Sequence, residues 1–410
     1  MTTFPQLLAP GRIGSLTVRN RIIMAPMGSN YAEADGQCGE RIQAYYEARA
    51  RGGAGLLIMG VCSVAFPAGT AEPFQVGVSS DDFIPGLSRL ADRVHQHGAK
   101  IAMQLQHAGK TSVRDMAEGR QLWVPSVPPV LQSDMMAALT PQELANFVSS
   151  MKRRAEGSPI RVMDDADIAR MIDWFASAAE RAQRAGFDGV ELHAAHGYII
   201  AGFLSAYYNQ REDQYGGSLQ NRARLLLQII AAVRAKVGAR FGLWLRLDAQ
   251  ELHTPGGITL EDAKAVACMA QAAGVDAISV SASARIISGE VFTEAPLVHQ
   301  PAGFMQWTAA LKRSVQVPVI AVGRIEPEVA EAALKRGDCD FIAMGRKLLA
   351  DPDLPNKLLN EQPASIRPCI YCYVCVSQIF VNERVKCAVN PMTGHEFEYL
   401  ISPALTPRHV

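Results

Sequence analysis

A chain of 410 residues, 49% hydrophobic and 20% charged, carries more apolar material than one ordinary domain needs, which predicts one large domain with an appendage. Its 40 basic and 40 acidic side chains cancel, excluding the overall positive field that draws proteins to nucleic acid or anionic membranes. No apolar run reaches the roughly twenty residues of a membrane helix, and MTTFPQLLAPGRIGS lacks the basic-then-apolar pattern of a leader, so a soluble cytoplasmic protein acting on small molecules is expected.

Eight short apolar runs follow one another along the chain: RIIMAPM, GLLIMGV, AKIAMQLQ, GVELHA, GLWLRL, AISVSA, VPVIAVG and DFIAMG. Runs apolar on both faces mark strands of a buried parallel sheet. Between them, IARMIDWFASAAERAQRAG and LEDAKAVACMAQAAG carry helical periodicity and end in glycine. This alternation predicts an α/β fold, a (β/α)8 TIM barrel, with a doubly wound open sheet as the competing architecture. The barrel is assigned to residues 1–355 and a cysteine-bearing segment to 356–410.

In such a barrel the chemistry lies on the loops after the strands. The stretch from His107 to Asp164 is far longer than a simple connection, and within it TPQELANFVSSMKRRAEG reads as an added helix. At the end of the third strand Gln104 offers an amide that both donates and accepts, with His107 three residues on. After the fourth strand, His193, His196 and Tyr198 fall within six residues. Neutral imidazoles there can hold an oxygen by donating hydrogen bonds, and a phenol can pass a proton. The following Arg211, Asp213, Asn221 and Arg222 read as architecture: a turn at Gly216 and Gly217, then a helix start. On the fifth strand Arg246 places a fixed cation in an apolar run, facing either an electron-rich ligand edge or a carboxylate such as Asp248. Gly323-Arg324 and Gly345-Arg346 close the seventh and eighth strands, the loops that frequently hold phosphate in this fold.

Near the end Cys369, Cys372, Cys375 and Cys387 stand as C-x2-C-x2-C-x11-C. Three thiolates on one tight turn and a fourth from a later segment suit the corners of a [4Fe–4S] cubane; structural zinc, the rival use, ordinarily takes two separated C-x2-C pairs. Cys38, Cys62, Cys268 and Cys339 stand singly among apolar neighbours and read as reduced core thiols.

The motifs APMG at Pro26, Met27 and Gly28, QLQHAGK from Gln104, HAAHGY to NRAR, VGRI at Gly323 and MGR at Gly345 together resemble the old yellow enzyme superfamily. The cysteines make the chain similar to its iron–sulfur branch, which includes 2,4-dienoyl-CoA reductase and trimethylamine dehydrogenase. The resemblance implies FMN at the barrel mouth, contacted by Pro26, Met27, Gly28, Gly60 and Gln104, with Arg246 beside its pyrimidine edge and its phosphate on Gly323, Arg324, Gly345 and Arg346. It implies that His193 and His196 hold the substrate's activating oxygen, that flavin N5 delivers hydride, and that Tyr198 donates the proton. The expected reaction is reduction of the activated C=C bond of α,β-unsaturated carbonyl compounds, enones or enoyl thioesters. The alternative is a tertiary-amine demethylase or dehydrogenase that passes electrons through the cluster to a separate flavoprotein.

Departures from the family pattern sharpen these expectations. Gly28 and Ser29 replace the cysteine that bonds the flavin in the amine-oxidising enzymes, and His193 replaces a tyrosine found there. Arg285 stands where the dienoyl-CoA reductase form has a histidine. No G-x-G-x-x-G occurs, so NADH or NADPH is expected to reach FMN directly, or electrons to arrive from a separate reductase subunit. A homo-oligomer is expected.

Overall fold

The computed structural model of the chain describes residues 3–127, 129, 140–142, 145, 158–284, 300–399 and 406. Eight strands, β1 (Ile22–Met24), β2 (Leu56–Ser63), β3 (Lys100–Gln106), β4 (Gly189–Ala194), β5 (Gly242–Leu252), β6 (Ala277–Ala284), β7 (Val319–Val322) and β8 (Phe341–Met344), pair in parallel in chain order. A last parallel pairing of β8 with β1 closes the ring. Each of the eight apolar runs lies on one of these strands, so the closed barrel stands and the open sheet does not.

Helices α1 (Glu40–Arg51), α2 (Ile84–Gln96), α3 (Asp165–Arg184), α4 (Leu219–Val237), α5 (Leu260–Ala272), α6 (Met305–Lys312) and α7 (Pro327–Arg336) follow the first seven strands in turn. Local chemistry fixes several starts. Asp164 accepts from the backbone N–H of Asp167, whose side chain reaches back to cap the first turn of α3, and Thr259 and Asp262 do the same for α5. A short helix α8 (Arg346–Ala350) follows β8, and α9 (Val374–Phe380) lies among the cysteines.

The apolar interior divides in two. Most of it packs between strands and helices. A smaller cluster, with Ile23, Leu56, Ile58, Ala102, Trp244 and Ile320, fills the barrel itself, joined by Ile13, Leu16 and Val18 from an antiparallel hairpin (Gly11–Ile13 with Leu16–Val18). Gly189 is forced by this filling, because a Cβ there would come within 2.7 Å of the Trp244 ring.

The long connection after β3 leaves and returns through two short parallel strands, Leu122–Val124 and Ile160–Val162. The helix expected over Thr140–Gly157 falls mainly outside the described residues, as do Arg285 and most of the stretch from Ser281 to Gly303. Asn209 donates to the carbonyls of Phe203 and Tyr215 (both 2.7 Å) and Arg222 to that of Leu204 (2.8 Å), the architectural work expected of this turn. Cys38, Cys62 and Cys339 are buried, whereas Cys268 is exposed and corrects its reading as a core thiol: it lies on the outer face of α5, its thiol 3.2 Å from the Ser314 carbonyl.

Candidate functional site

The turn after β4 brings three rings together. The centroid of His193 lies 4.9 Å from that of His196 and 4.7 Å from that of Tyr198, and the last two are 6.4 Å apart. His196 and Gly197 both take left-handed backbone angles, φ 61° and 70°, which for a histidine is uncommon and needs support. Buried Asp248 supplies it by accepting the His196 backbone N–H at 2.6 Å. The Ala195 N–H donates to His193 Nδ1 at 3.3 Å, which leaves the proton of a neutral imidazole on Nε2. His196 Nε2 is 2.7 Å from Ser281 Oγ. Burial, then His196 and Arg246, hold His193 well below the usual imidazole range; burial and Arg246 do the same for His196. Both are therefore neutral hydrogen-bonding groups rather than cations.

Below this turn a polar belt crosses the barrel. Strand register sets Gln104 beside Glu191 and Arg246 beside His193 and Ser279. Glu191 accepts from Gln104 Nε2 (2.6 Å) with one oxygen and from Trp244 Nε1 (2.9 Å) with the other. Burial pushes its carboxyl above the usual range; Arg246 and the two donors oppose that. Sequence reasoning missed Glu191, although a lone acid two residues before His193 in an apolar strand shares that residue's face and so points inward. It also missed Asp248 as the anchor of His196. Arg246 reaches toward Ser279 and Ser281 at 3.5 and 3.4 Å.

At the ends of β1, β2 and β8 the backbone is crowded enough to need glycine. A Cβ on Gly60 would overlap Pro26 and lie 3.0 Å from the Met27 nitrogen; one on Gly345 would lie 2.9 Å from Met27 Sδ; one on Gly28 would strike the Glu72 carboxylate. Gly323 takes φ 123°, a conformation glycine alone adopts readily. Beside these turns Arg324, Arg346 and Lys347 gather around one aromatic ring, their charges 4.3, 5.2 and 5.4 Å from the Tyr371 centroid. Tyr371 donates to Glu326 Oε1 at 2.6 Å, and Lys347 pairs with the same carboxylate. A planar phosphorylated ligand fits this donor set: a buried amide and guanidinium at the barrel mouth, with two guanidiniums at the glycine turns.

Tyr371 also belongs to the cysteine segment. Cys369, Cys372, Cys375 and Cys387 line one cavity together with Arg346, Tyr371 and Tyr373. Burial pushes Cys375 up to about 11 and raises Cys369, with Arg346 pulling both down. Among the described residues no three His, Cys, Asp or Glu side chains are grouped tightly enough to share a single metal ion. A cubane, were one bound, would spread the four thiolates of this cavity over four irons.

Comparison with known proteins gives the same grouping. A relative 39% identical over 407 residues is the NADH oxidase of Thermoanaerobacter brockii, matched over 97% of this chain and 58% of that protein. The N,N-dimethylglycine/sarcosine dehydrogenase of Chromohalobacter salexigens is 34% identical, with 96% and 54% covered. Among solved structures, a 2-naphthoyl-CoA reductase complexed with 2-naphthoyl-CoA superposes with a TM-score of 0.86 at 29% identity, covering 98% of this chain and 60% of that one. The chain thus spans little more than half the length of these relatives. Residues 6–364 match the NADH:flavin oxidoreductase / NADH oxidase family, a branch of the old yellow enzyme superfamily, and the chain belongs to it.

Proposed function

We propose that this chain reduces the activated C=C bond of α,β-unsaturated carbonyl compounds. The observation that carries the reading is the convergence of two neutral imidazoles and a phenol on one turn at the barrel mouth. His193 and His196 hold the substrate's carbonyl oxygen by donated hydrogen bonds and stabilise the negative charge that grows there. Ser281 Oγ and the Ala195 N–H fix the direction of those rings, and Asp248 holds the His196 backbone. Tyr198 gives its phenolic proton to the α-carbon. Gln104, Arg246 and the glycine turns would hold FMN, with Arg324 and Arg346 on its phosphate, and FMN bound there would supply the hydride for the β-carbon. The four cysteines would hold a [4Fe–4S] cluster, which would carry electrons between the flavin and a source such as NADH, NADPH or a separate flavoprotein.

Anaerobic stopped-flow measurement tests this. Enones or enoyl thioesters are expected to reoxidise the reduced protein, and Tyr198→Phe to slow that step by about 10²–10⁴-fold, the usual weight of a positioned general acid, while sparing flavin reduction by nicotinamide. Equal loss in both half-reactions removes Tyr198 from the role. The dehydrogenase relative supports a second reading, amine oxidation. Bleaching of the flavin by N-methylated amines, with no response to enones, would establish it in place of the first.

A further inference from the structure

One cation near the reactive turn has no task in the mechanism above. Lys110 follows the QLQHAG stretch after β3 and lines a cavity with Trp123, Pro125, Tyr198, Ile199 and Tyr208. Its ammonium donates to the Gly197 carbonyl at 2.9 Å and stands 3.8 Å from the centre of the Tyr208 ring. Both contacts are with neutral groups. The opposing charge it feels, Glu251, accepts from Ser205 Oγ at 2.5 Å and from the Ile258 N–H at 2.8 Å. Burial lowers the Lys110 pKa to about 8, the direction expected where desolvation outweighs the attraction of Glu251. One wall is Trp123, whose ring centre lies 5.1 and 5.9 Å from those of Trp174 and His107.

From these positions we infer that Lys110 is a specificity-determining residue: the cavity beside Tyr198, about 10 Å³ and so with room for about one water-sized group, takes the carboxylate that ends a substrate arm, and Lys110 binds it. This rests on the reading of Tyr198 as a group that faces substrate and deepens it by naming the substrate class, unsaturated carbonyl compounds bearing a separate anionic group. An ammonium desolvated between an aromatic face and a peptide oxygen gains more from an incoming carboxylate than from any neutral arm, since charge-assisted hydrogen bonds are about twice as strong as neutral ones.

The test pairs a neutral enone, 4-phenylbut-3-en-2-one, with its meta- and para-carboxylate derivatives. On the FMN-loaded protein at pH 7, at least one carboxylate is expected to exceed the neutral compound in kcat/KM by about tenfold, the scale of one charge-assisted hydrogen bond. Lys110→Met should abolish that ratio and Lys110→Arg should keep most of it. The ratio cancels any general loss caused by releasing the Gly197 carbonyl. Calorimetric titration with benzoate and benzamide gives a readout free of turnover: the wild type should bind benzoate more tightly, and Lys110→Met should bind the two alike. No preference for the anion in either assay, or a preference that survives Lys110→Met, overturns the inference. If no enone is turned over yet benzoate binding depends on Lys110, the proposed reaction falls and the anion site stands. Turnover of all the enones without charge preference has the opposite meaning.

Discussion

Replacing Asp248 by asparagine isolates the group that holds His196 in its left-handed conformation. Asparagine keeps the shape and can still accept the His196 N–H through Oδ1, but it never carries charge. In the wild type, burial raises the Asp248 carboxyl from its ordinary 3.8 to about 7, only partly opposed by Ser283, the His196 N–H and Arg246. A folded-state value above the unfolded one means that the folded protein binds the extra proton. The wild type therefore has its full stability at low pH and loses it as pH rises between the two values. Integrated over that window the loss is about 4 kcal/mol at most, and Asp248→Asn removes it. The assay is equilibrium denaturation of both proteins from pH 5 to pH 8. At pH 5 the wild type is nearest to its asparagine variant in stability, and at pH 8 the variant should be the more stable by up to that amount. Subtracting the two curves cancels the titrating groups that do not interact with Asp248, including Glu72, which burial likewise raises to about 7; Glu251, whose charge also raises Asp248, is the exception. A difference that stays constant within about 0.5 kcal/mol across this range would refute the reasoning, since a single buried carboxyl titrating there must tilt it.

Two further outcomes follow from the crowding and charge at the barrel mouth. Gly60→Ala drives a methyl into Pro26 and against the Met27 nitrogen, so it should cost about 1–3 kcal/mol and lower the flavin-to-protein ratio of the purified protein; unchanged flavin content and melting temperature would place this turn away from the ligand. Tyr371→Leu removes the ring that Arg324, Arg346 and Lys347 surround, which at about 0.5–1 kcal/mol for each of the three cation contacts predicts FMN binding weaker by up to about a hundredfold in titrations of the apoprotein.

What could be read from the sequence divides along physical lines. The eight strands were legible because a parallel strand buried on both faces leaves an unbroken apolar run, and RIIMAPM and DFIAMG show it as plainly as any. The turn bearing His193, His196 and Tyr198 was legible because three polar rings within six residues at a strand end have few structural uses. Glu191 was hidden by the same apolar signal that revealed its strand, and its value rests on Gln104 and Trp244, which lie 87 and 53 residues away. Asp248 was visible only as a possible partner of Arg246, whereas its bond runs to a backbone N–H that no pattern of side chains announces. Lys110 carried no signal of its own in the sequence, because the Tyr208 ring and the Gly197 carbonyl that close around it come from a distant part of the chain. Cys268 failed for the converse reason: apolar neighbours in sequence do not say which face of a helix a residue occupies.

The cysteine segment is joined to the barrel through the loops proposed above to hold FMN, and this has a thermodynamic consequence. Val385, two residues before Cys387, donates its N–H to the Ser29 carbonyl at 3.0 Å and accepts the Tyr31 hydroxyl at 2.6 Å, while Asn30 donates to the Glu383 carbonyl at 3.0 Å. Those partners lie directly beyond Pro26, Met27 and Gly28. On the other side Tyr371, between Cys369 and Cys372, packs on Arg324 and Arg346, and Arg346 also lines the cysteine cavity. A ligand that orders the cysteines must therefore act on the loops at the ends of β1, β7 and β8, and one that orders those loops must act on the cysteines. Linkage makes the two effects equal in free energy, so iron loading and flavin affinity should rise and fall together, and Tyr371→Leu, which leaves the Ser29, Asn30 and Tyr31 contacts in place, should weaken that coupling without abolishing it.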